Sequence, residues 1–453
     1  MKQIINKYKS VSINAKATLC FFICNVLQKG IQYVTLPVFS RILSIEEYGE
    51  YIVFLSWLSV IQIFATLNLS AGIFMTGMAK YEQERNQYTT NMMGLSISFT
   101  VFVGILYVIF YKPLCYLIDL SPVLIILIFV QSLFAPCFLF WSVHERYELR
   151  YRELVVVTVV GSLASPIISM FLIMSISDKA LALCSGYISG QVCMGIYCGL
   201  KILRRNKQIY NTVKWKEALI FNIPLIPHYL SYVVLGQADR VMINNICGQY
   251  DAGIYGLAYQ LSNAMNMLTT ALDSAYSPQI YMEIKKQTNN GKVKLSINNM
   301  LVFYSMALAG MALIAPEILL IFGSEKYIAA KWVMPAIILS SYFLFIAGLF
   351  MKVEFYFKKN IFITTASTFI ALINILLNYI FINKYGYIAA AYTTLFCYTA
   401  FACVHFILMY ITFKKHSMKN SIFDYKFILG LSIALFISVA AVLELYNLNF
   451  LFR

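Results

Sequence analysis

Charged side chains are scarce in this chain. Only 12% of its 453 residues are charged, and the 20 acidic residues are outnumbered by 35 lysines and arginines. A soluble domain carries about 25% charged residues, whereas here 60% of the residues are hydrophobic and the mean hydropathy is +0.72. A soluble enzyme is therefore excluded, and the composition predicts a polytopic membrane protein.

Long polar loops are missing as well. A membrane-crossing helix needs about 20 mostly apolar residues, and runs of this kind follow one another with only short polar segments between them. We therefore predict an all-α polytopic membrane protein with about 12–14 transmembrane helices. The predicted spans are 17–36, 49–79, 92–111, 121–141, 154–176, 180–200, 218–238, 252–277, 295–321, 332–351, 361–382, 387–411 and 427–446.

The sequence also lacks the residue clusters that carry enzyme chemistry. It has no phosphate-binding glycine loop, no nucleophile–base–acid set and no His/Cys group with metal-ligand spacing. The ten cysteines lie mostly inside apolar spans, where a free cysteine behaves as a small hydrophobe. We therefore expect no enzyme, no metal site and no cofactor. A transporter of this kind would draw energy from an ion gradient, with H⁺ or Na⁺ as the alternatives.

The positive charges are unevenly distributed between the two sides of the predicted membrane. If the N-terminus is cytoplasmic, the inner segments hold 26 of the 35 lysines and arginines and the outer segments hold eight. Such an excess in short loops fixes orientation. It predicts a multi-pass protein of the bacterial cytoplasmic (inner) membrane, with the N-terminus inside. The basic charge then reflects topology and contact with anionic membrane lipids, and we expect no nucleic-acid partner.

The chain is predicted to contain two related halves. A basic segment at 201–217 follows six spans and precedes six more, which gives an N-terminal bundle at 1–205 and a second at 206–411. Residues 412–453 would add an accessory transmembrane helix. A Gly-x-Tyr pattern opens the second span of each half, at Gly49–Tyr51 and Gly253–Tyr255. Both halves start inside, so these pseudo-symmetric six-helix bundles would be parallel repeats.

Polar side chains follow one face of several spans. Because polar groups are costly in lipid, they usually face a bundle interior or an aqueous cavity. Lys29 lies near the middle of the first span. Ser, Thr and Asn at such spacing can instead bond neighbouring helices, and Lys29 can instead neutralise a buried carboxylate. The predicted cavity-lining residues are Lys29, Asn25, Gln32, Gln62, Tyr255, Tyr259, Asn263 and Asn266.

Further ionisable residues are candidates for ion coupling or gating. Asp273, at the inner end of the eighth span, and His228, directly after Pro227, are candidate coupling groups, each with a structural role as the alternative. Arg41, Asp239, Arg240 and Asp251 are predicted to lie at the outer ends of paired helices. They would form an outer gate or simply anchor loops. The charged inner segment His144–Glu153 is expected to be a solvated or lipid-surface helix end.

Three segments resemble bacterial polysaccharide repeat-unit flippases, the O-antigen and capsule exporters of the multidrug/oligosaccharidyl-lipid/polysaccharide (MOP) superfamily. The similar segments are 36–51, 223–255 and 374–391. The resemblance implies a fold like that of the multidrug exporters of this superfamily, with two bundles that open alternately to either side. It also implies an undecaprenyl-pyrophosphate-linked oligosaccharide as substrate, for O-antigen (lipopolysaccharide) or capsule biosynthesis. A glycan polymerase and a chain-length regulator are candidate partners.

In that function Lys29 would meet the pyrophosphate, and the amides and tyrosines of the predicted cavity would bind sugars. Three alternatives stay open. One is a cation-coupled multidrug exporter of the same superfamily, and another is a flippase for a peptidoglycan precursor. The third is a membrane glycan polymerase, which the missing outer loop disfavours.

Overall fold

The computed structural model describes residues 13–70, 72–286, 291–416 and 422–448, and this part of the chain is almost entirely helical. Its eighteen α-helices follow one another with short connections. They are α1 Ile13–Ile42, α2 Ile45–Thr66, α3 Ile73–Lys80, α4 Arg85–Ile109, α5 Tyr111–Ile118, α6 Pro122–Tyr147, α7 Tyr151–Ser175, α8 Lys179–Arg205, α9 Thr212–Asn222, α10 Ile226–Cys247, α11 Gln249–Ser262, α12 Met265–Lys286, α13 Gly291–Leu313, α14 Ala315–Phe322, α15 Met334–Tyr356, α16 Asn360–Tyr385, α17 Ile388–Lys415 and α18 Tyr425–Asn447.

Within the described residues, eleven helical stretches are long and apolar enough to cross a membrane. Two more stretches have the length, namely α1 and the α11–α12 pair. These two carry Lys29 and the polar stripe of the eighth predicted span. The chain is thus an all-α polytopic membrane protein, as predicted.

Several predicted spans contain a break. The second span ends at Thr66 because Leu67 and Asn68 adopt left-handed conformations, with φ of 52° and 47°. Such conformations are strained for non-glycine residues. The predicted ninth span divides after Leu313, and a short 3₁₀ turn at Ile223–Leu225 separates α9 from α10. Pro224 lies in that turn, where a proline would remove a helical hydrogen bond.

Helix α10 extends beyond the predicted end of the seventh span. It continues past Asp239 and Arg240 to Cys247, and Gly248 with φ of 97° ends it. Glycine adopts this conformation without the steric cost of a Cβ atom. Asp239 and Arg240 therefore lie inside a helix, two turns before its end.

The contacts divide the chain into two compact units. The first contains residues up to Leu43 and Phe54–Leu230, and the second contains Ser44–Val53 and Ser231 onward. Helix α18 packs in the second unit, against α13 and α15. The predicted boundaries after residues 205 and 411 stay predictions.

Each unit contains the same three-helix arrangement. In the first, α8 packs on α6 and α7, and in the second α17 packs on α15 and α16. The helix starts at 151 and 179 are separated from those at 360 and 388 by the same number of residues. A left-handed residue precedes α7 and α16 at matched positions, since Leu149 and Lys358 both have φ of 55°. The two units are therefore structural repeats of one another here.

Candidate transport site

A polar cavity lies in the first unit where α2 ends. Its volume is about 120 Å³, and Gln62 of the predicted cavity set lines it. A helix that stops inside a membrane leaves carbonyl groups that must be bonded within the protein. Thr100 Oγ1 donates to the Ala65 carbonyl at 2.8 Å, and Asn222 Nδ2 donates to the Leu67 carbonyl at 2.8 Å. The break is thus held by side chains of α4 and α9.

The lining of this cavity suits a ligand with many hydroxyl groups. Besides apolar residues it presents amide and hydroxyl side chains, and the buried Ser96 Oγ has no hydrogen-bond partner among the described residues. Amides and hydroxyls both donate and accept hydrogen bonds. The polar lining residues are Ser59, Gln62, Thr66, Asn68, Ser70 and Ser96.

The predicted residues of the first helix lie on the surface of the first unit. Lys29 and Gln32 of α1 are exposed. The side chain of Asn25 lies outside the described residues. The cation proposed to meet an anionic substrate is therefore accessible.

The second unit holds a buried carboxylate network around Asp239, whose side chain is only 1% exposed. Tyr255 Oη donates to it at 2.6 Å, Asn378 Nδ2 at 2.6 Å and Thr394 Oγ1 at 2.7 Å. Three donors replace the water that this carboxylate loses on burial. Arg240, beside it, places its guanidinium 3.8 Å from the centroid of the Tyr259 ring.

This network joins the helices that carry it. Asn378 Nδ2 also donates to Asn374 Oδ1 at 3.2 Å, and Thr393 Oγ1 donates to Asn378 Oδ1. No group of three or more His, Cys, Asp or Glu side chains is placed to hold a metal in the described part of the chain.

The stripe predicted along the eighth span is divided between two helices. Tyr255 and Tyr259 are buried in α11, and the Tyr255 hydroxyl is engaged by Asp239. Asn263 and Asn266 lie at the break before α12, where Asn266 Nδ2 donates to Asn263 Oδ1 at 2.9 Å. The residues of the stripe thus have different surroundings, and their roles in substrate binding stay predictions.

The structure shows the surroundings of each predicted coupling and gating group separately. Asp273 forms an ion pair with Lys352 at 2.9 Å. His228 is half-buried at the start of α10, and its Nδ1 atom has no partner among the described residues. Asp251 is half-buried in the first turn of α11. Arg41 is exposed near the end of α1, in the first unit, whereas Asp239, Arg240 and Asp251 belong to the second.

Sequence reasoning missed the partners of Asp239. Asn374 and Asn378 lie one turn apart in the predicted span 361–382, and that pair of amides was a signal of a buried polar site. The inner segment at 144–153 ends a helix as predicted, and residues 146–153 are exposed or half-buried, but the prediction was wrong for its first two residues. The structure buries both His144 and Glu145, because Arg205 of α8 supplies the charge that balances the carboxylate.

Repeated helical units, broken membrane helices and buried polar clusters define a membrane transporter fold. Two solved structures share it. One is the lipid II flippase MurJ in an inward closed conformation, with a TM-score of 0.62, 18% identity, and 96% of this chain and 93% of that chain covered. The other is an inward-facing multidrug resistance MATE family transporter of the MOP superfamily, with a TM-score of 0.63 and 12% identity. The match covers 88% of this chain and 95% of that chain.

Residues 15–282 match the family described as polysaccharide biosynthesis protein, and the chain belongs to that family. The succinoglycan biosynthesis transport protein ExoT of Rhizobium meliloti is 22% identical over 69% of this chain and 64% of its own length. The Lsg locus putative protein 1 of Haemophilus influenzae is 34% identical over 15% of this chain and 17% of its own. The matched stretches span less than two thirds of these relatives. The resemblance to polysaccharide flippases of the MOP superfamily is thereby confirmed.

Proposed function

We propose that this protein is a flippase for undecaprenyl-pyrophosphate-linked oligosaccharides. It would move repeat units from the inner to the outer leaflet of the bacterial cytoplasmic membrane, with its N-terminus inside, for O-antigen or capsule biosynthesis. The observation that carries the proposal is the polar cavity at the break of α2, in a chain of the polysaccharide biosynthesis family. The names of the similar MurJ and ExoT proteins, a lipid II flippase and a succinoglycan transport protein, agree with it.

The chemistry of such a substrate fits the residues in three ways. A pyrophosphate cannot cross the bilayer core without a compensating cation, and the exposed Lys29 of α1 would supply one. Sugar hydroxyls would bond Gln62 and its hydroxyl neighbours in the cavity. The lipid tail would stay in the bilayer, where its burial costs nothing. Transport would be driven by a gradient of H⁺ or Na⁺.

Deletion of the gene in its host tests this function, with surface glycan and the sidedness of lipid-linked oligosaccharide as the two readouts. We expect surface glycan to be lost and complete repeat units to accumulate on the cytoplasmic leaflet. A plasmid copy of the wild-type gene should restore both. Single repeat units on the surface of the deletion strain would instead indicate a polymerase.

The multidrug exporter is the second candidate, because the MATE transporter has a TM-score of 0.63 to this chain. An exporter of this kind predicts normal surface glycan in the deletion strain and increased sensitivity to cationic dyes. A peptidoglycan-precursor flippase predicts that the deletion is lethal. The same strain therefore separates all three functions.

A further inference from the structure

A carboxyl–imidazole pair is buried in the second unit, apart from the residues discussed above. Glu354 of α15 and His405 of α17 are both 0% exposed, and Glu354 Oε1 lies 2.7 Å from His405 Nδ1. The other oxygen, Glu354 Oε2, and the other ring nitrogen, His405 Nε2, are buried without a hydrogen-bond partner among the described residues. Unsatisfied buried polar atoms are uncommon in proteins and call for an explanation.

The first unit has a related carboxylate at the matched position. Glu145 of α6 lies four residues before the left-handed Leu149, and Glu354 lies four residues before the left-handed Lys358. Arg150 N donates to the Glu145 carbonyl and Lys359 N to the Glu354 carbonyl, both at 2.8 Å. The two glutamates are thus equivalent residues of the repeat.

The partners of the two glutamates differ in one decisive respect. Glu145 is bonded by Arg205, which also lies 3.2 Å from His144 Nδ1. Arginine keeps its charge at any physiological pH, so the Glu145 cluster is electrically neutral without an added proton. Among the described residues, the carboxyl group of Glu354 has only a histidine as its partner. The pair in the second unit carries one negative charge until it binds one proton.

Charge balance therefore makes proton binding favourable at this pair. A buried charge without a counter-charge is strongly destabilising, and one proton removes it, whether the proton resides on the carboxyl or on the imidazole. Histidine is also the side chain whose charge changes between about pH 5 and 8. We propose that Glu354 and His405 form a proton-binding site of the second unit, and that the proton bound there is the ion coupled to transport.

The coupling part of this proposal depends on the proposed transport function, whereas the proton site itself does not. Glu354 and His405 join α15 to α17, which pack closely against each other along the second unit. A change of one charge between them would alter how these helices pack. Glu354 lies two residues before the end of α15, at the end that the charge distribution predicts to be cytoplasmic, so protons would enter from that side.

The charged groups on neighbouring helices have partners elsewhere. Asp273 of α12 pairs with Lys352 of α15 at 2.9 Å, and Lys294 of α13 pairs with Asp424, which precedes α18, at 3.1 Å. Helix α12 also carries the buried carboxyl group of Glu283. None of these ion pairs includes Glu354 or His405.

The remaining neighbours contribute cations and one more histidine. The exposed Lys358 precedes α16, and α17 ends on two exposed lysines at 414 and 415. His416 follows them, exposed and stacked on Phe357 with ring centroids 4.0 Å apart. Asp251 interacts with Tyr387 at the opposite end of α17. His416 therefore provides a matched control, since it is a histidine at the same end of the unit but in solvent.

The first experiment measures the unfolding midpoint of the purified protein in detergent between pH 5 and pH 9. A proton that binds the folded pair but not the unfolded chain makes wild-type stability fall as the pH rises. Glu354→Gln removes the negative charge that the proton balances, whereas His405→Gln leaves the buried carboxyl group, which can still bind a proton. We expect Glu354→Gln to lose about 2 °C per pH unit of the wild-type slope and His405→Gln to keep a downward slope.

His416→Gln and Glu145→Gln are the controls. His416→Gln should leave both the midpoint and its slope nearly unchanged. Glu145→Gln should lower the midpoint at every pH, because Arg205 loses its partner, but should keep the wild-type slope. If Glu354→Gln keeps the wild-type slope, the pair does not bind the proton and the proposal is wrong.

The second experiment measures flipping of lipid-linked oligosaccharide in proteoliposomes with and without an imposed pH gradient. The pH gradient should change the flipping rate of wild-type protein and of His416→Gln. In Glu354→Gln and His405→Gln this change should be at least tenfold smaller at equal protein incorporation. A full response in these two variants would contradict coupling at this pair. If wild-type protein flips nothing, the transport function fails, while the pH dependence of unfolding still decides whether the proton site exists.

Discussion

Asp424 fixes the start of α18 through two interactions of one carboxylate. It accepts a hydrogen bond from Phe427 N at 3.2 Å and forms an ion pair with Lys294 at 3.1 Å. The pKa of this carboxyl is held below its usual value, mainly by the Lys294 ammonium and also by the Phe427 N–H group. The stabilisation is therefore present above the ordinary aspartate pKa near 4 and is lost as the pH falls through the lower folded-state value.

We expect Asp424→Ala to lower the free energy of unfolding by roughly 1 kcal/mol, the usual cost of removing a helix N-cap. Asp424→Asn keeps the cap and loses only an exposed ion pair, worth at most about 1 kcal/mol and usually less. Thermal unfolding in detergent at pH 7 measures both changes. At pH 3 the difference between wild type and Asp424→Asn should shrink, and a constant difference would show that the ion pair contributes nothing.

Lys29 tests the substrate-binding hypothesis at a single position. Charge-assisted hydrogen bonds are worth about 1.5–3 kcal/mol, so Lys29→Ala should reduce glycan export roughly tenfold or more. Lys29→Arg keeps the charge and should retain part of the export. Membrane abundance, measured by immunoblot, should be equal in all three strains. Unchanged export by Lys29→Ala would remove this cation from the mechanism.

At the scale of helices, the two glycines of the Gly-x-Tyr repeat face each other inside the second unit. A methyl group on Gly49 of α2 would collide with the Gln249 carbonyl oxygen, and one on Gly253 of α11 would collide with the Ile45 carbonyl oxygen. Each blocking oxygen lies one turn before the glycine of the partner helix. The repeat found in the sequence is therefore a symmetric close crossing of two helix backbones.

Backbone atoms cannot move aside as a flexible side chain can, so Gly49→Ala and Gly253→Ala should each destabilise the protein by roughly 1–3 kcal/mol. Gly310 of α13 is the control, because a methyl group there would meet no atom within 4 Å. Gly310→Ala should be neutral or slightly stabilising, since alanine favours helix. Detergent unfolding midpoints measure these changes, and equal midpoints for Gly49→Ala and Gly310→Ala would show that the crossing is not tight.

Hydropathy could identify the helices but not where they break. Hydropathy averaged over about twenty residues does not show the end of α2 at Thr66. The left-handed residues that end this helix are Leu67 and Asn68, and neither is a glycine or a proline, the residues that usually mark a break. The break exists because Asn222 and Thr100, distant in sequence, bond the freed carbonyl groups. By contrast, a proline usually marks a break in a helix, and Pro224 indicates the turn between α9 and α10 where the structure has it.

At the scale of the whole molecule, composition and charge were sufficient for the class, and three similar sequence segments indicated the family, while the site needed the fold. Each polar residue stands out in an apolar span of the sequence, but the sequence does not show which residue it contacts. Asp239 was predicted near Arg41 at an outer gate, whereas its hydrogen-bond partners are Tyr255, Asn378 and Thr394, which the fold brings together from three other helices. Periodicity reports the face of one helix, and tertiary packing decides what that face meets.

Orientation in the membrane is the largest-scale prediction that the sequence makes. The inner segments hold 26 of the 35 lysines and arginines, and such a bias in short loops sets topology. Lys207, between α8 and α9, and Glu325, in the turn before α15, are exposed. They are predicted to lie on opposite sides, with Lys207 inside and Glu325 outside.

A membrane-impermeant maleimide can test this orientation in intact cells, with the wild-type chain as the background for its native cysteines. Glu325→Cys should be labelled at once, whereas Lys207→Cys should react only after the cells are opened. The charge argument requires this difference, because inverting the protein would move most of its positive charge across the membrane against the potential. Labelling of Lys207→Cys in intact cells would reverse the orientation, and the proposed inner entry of protons at Glu354 and His405 would then become an outer one.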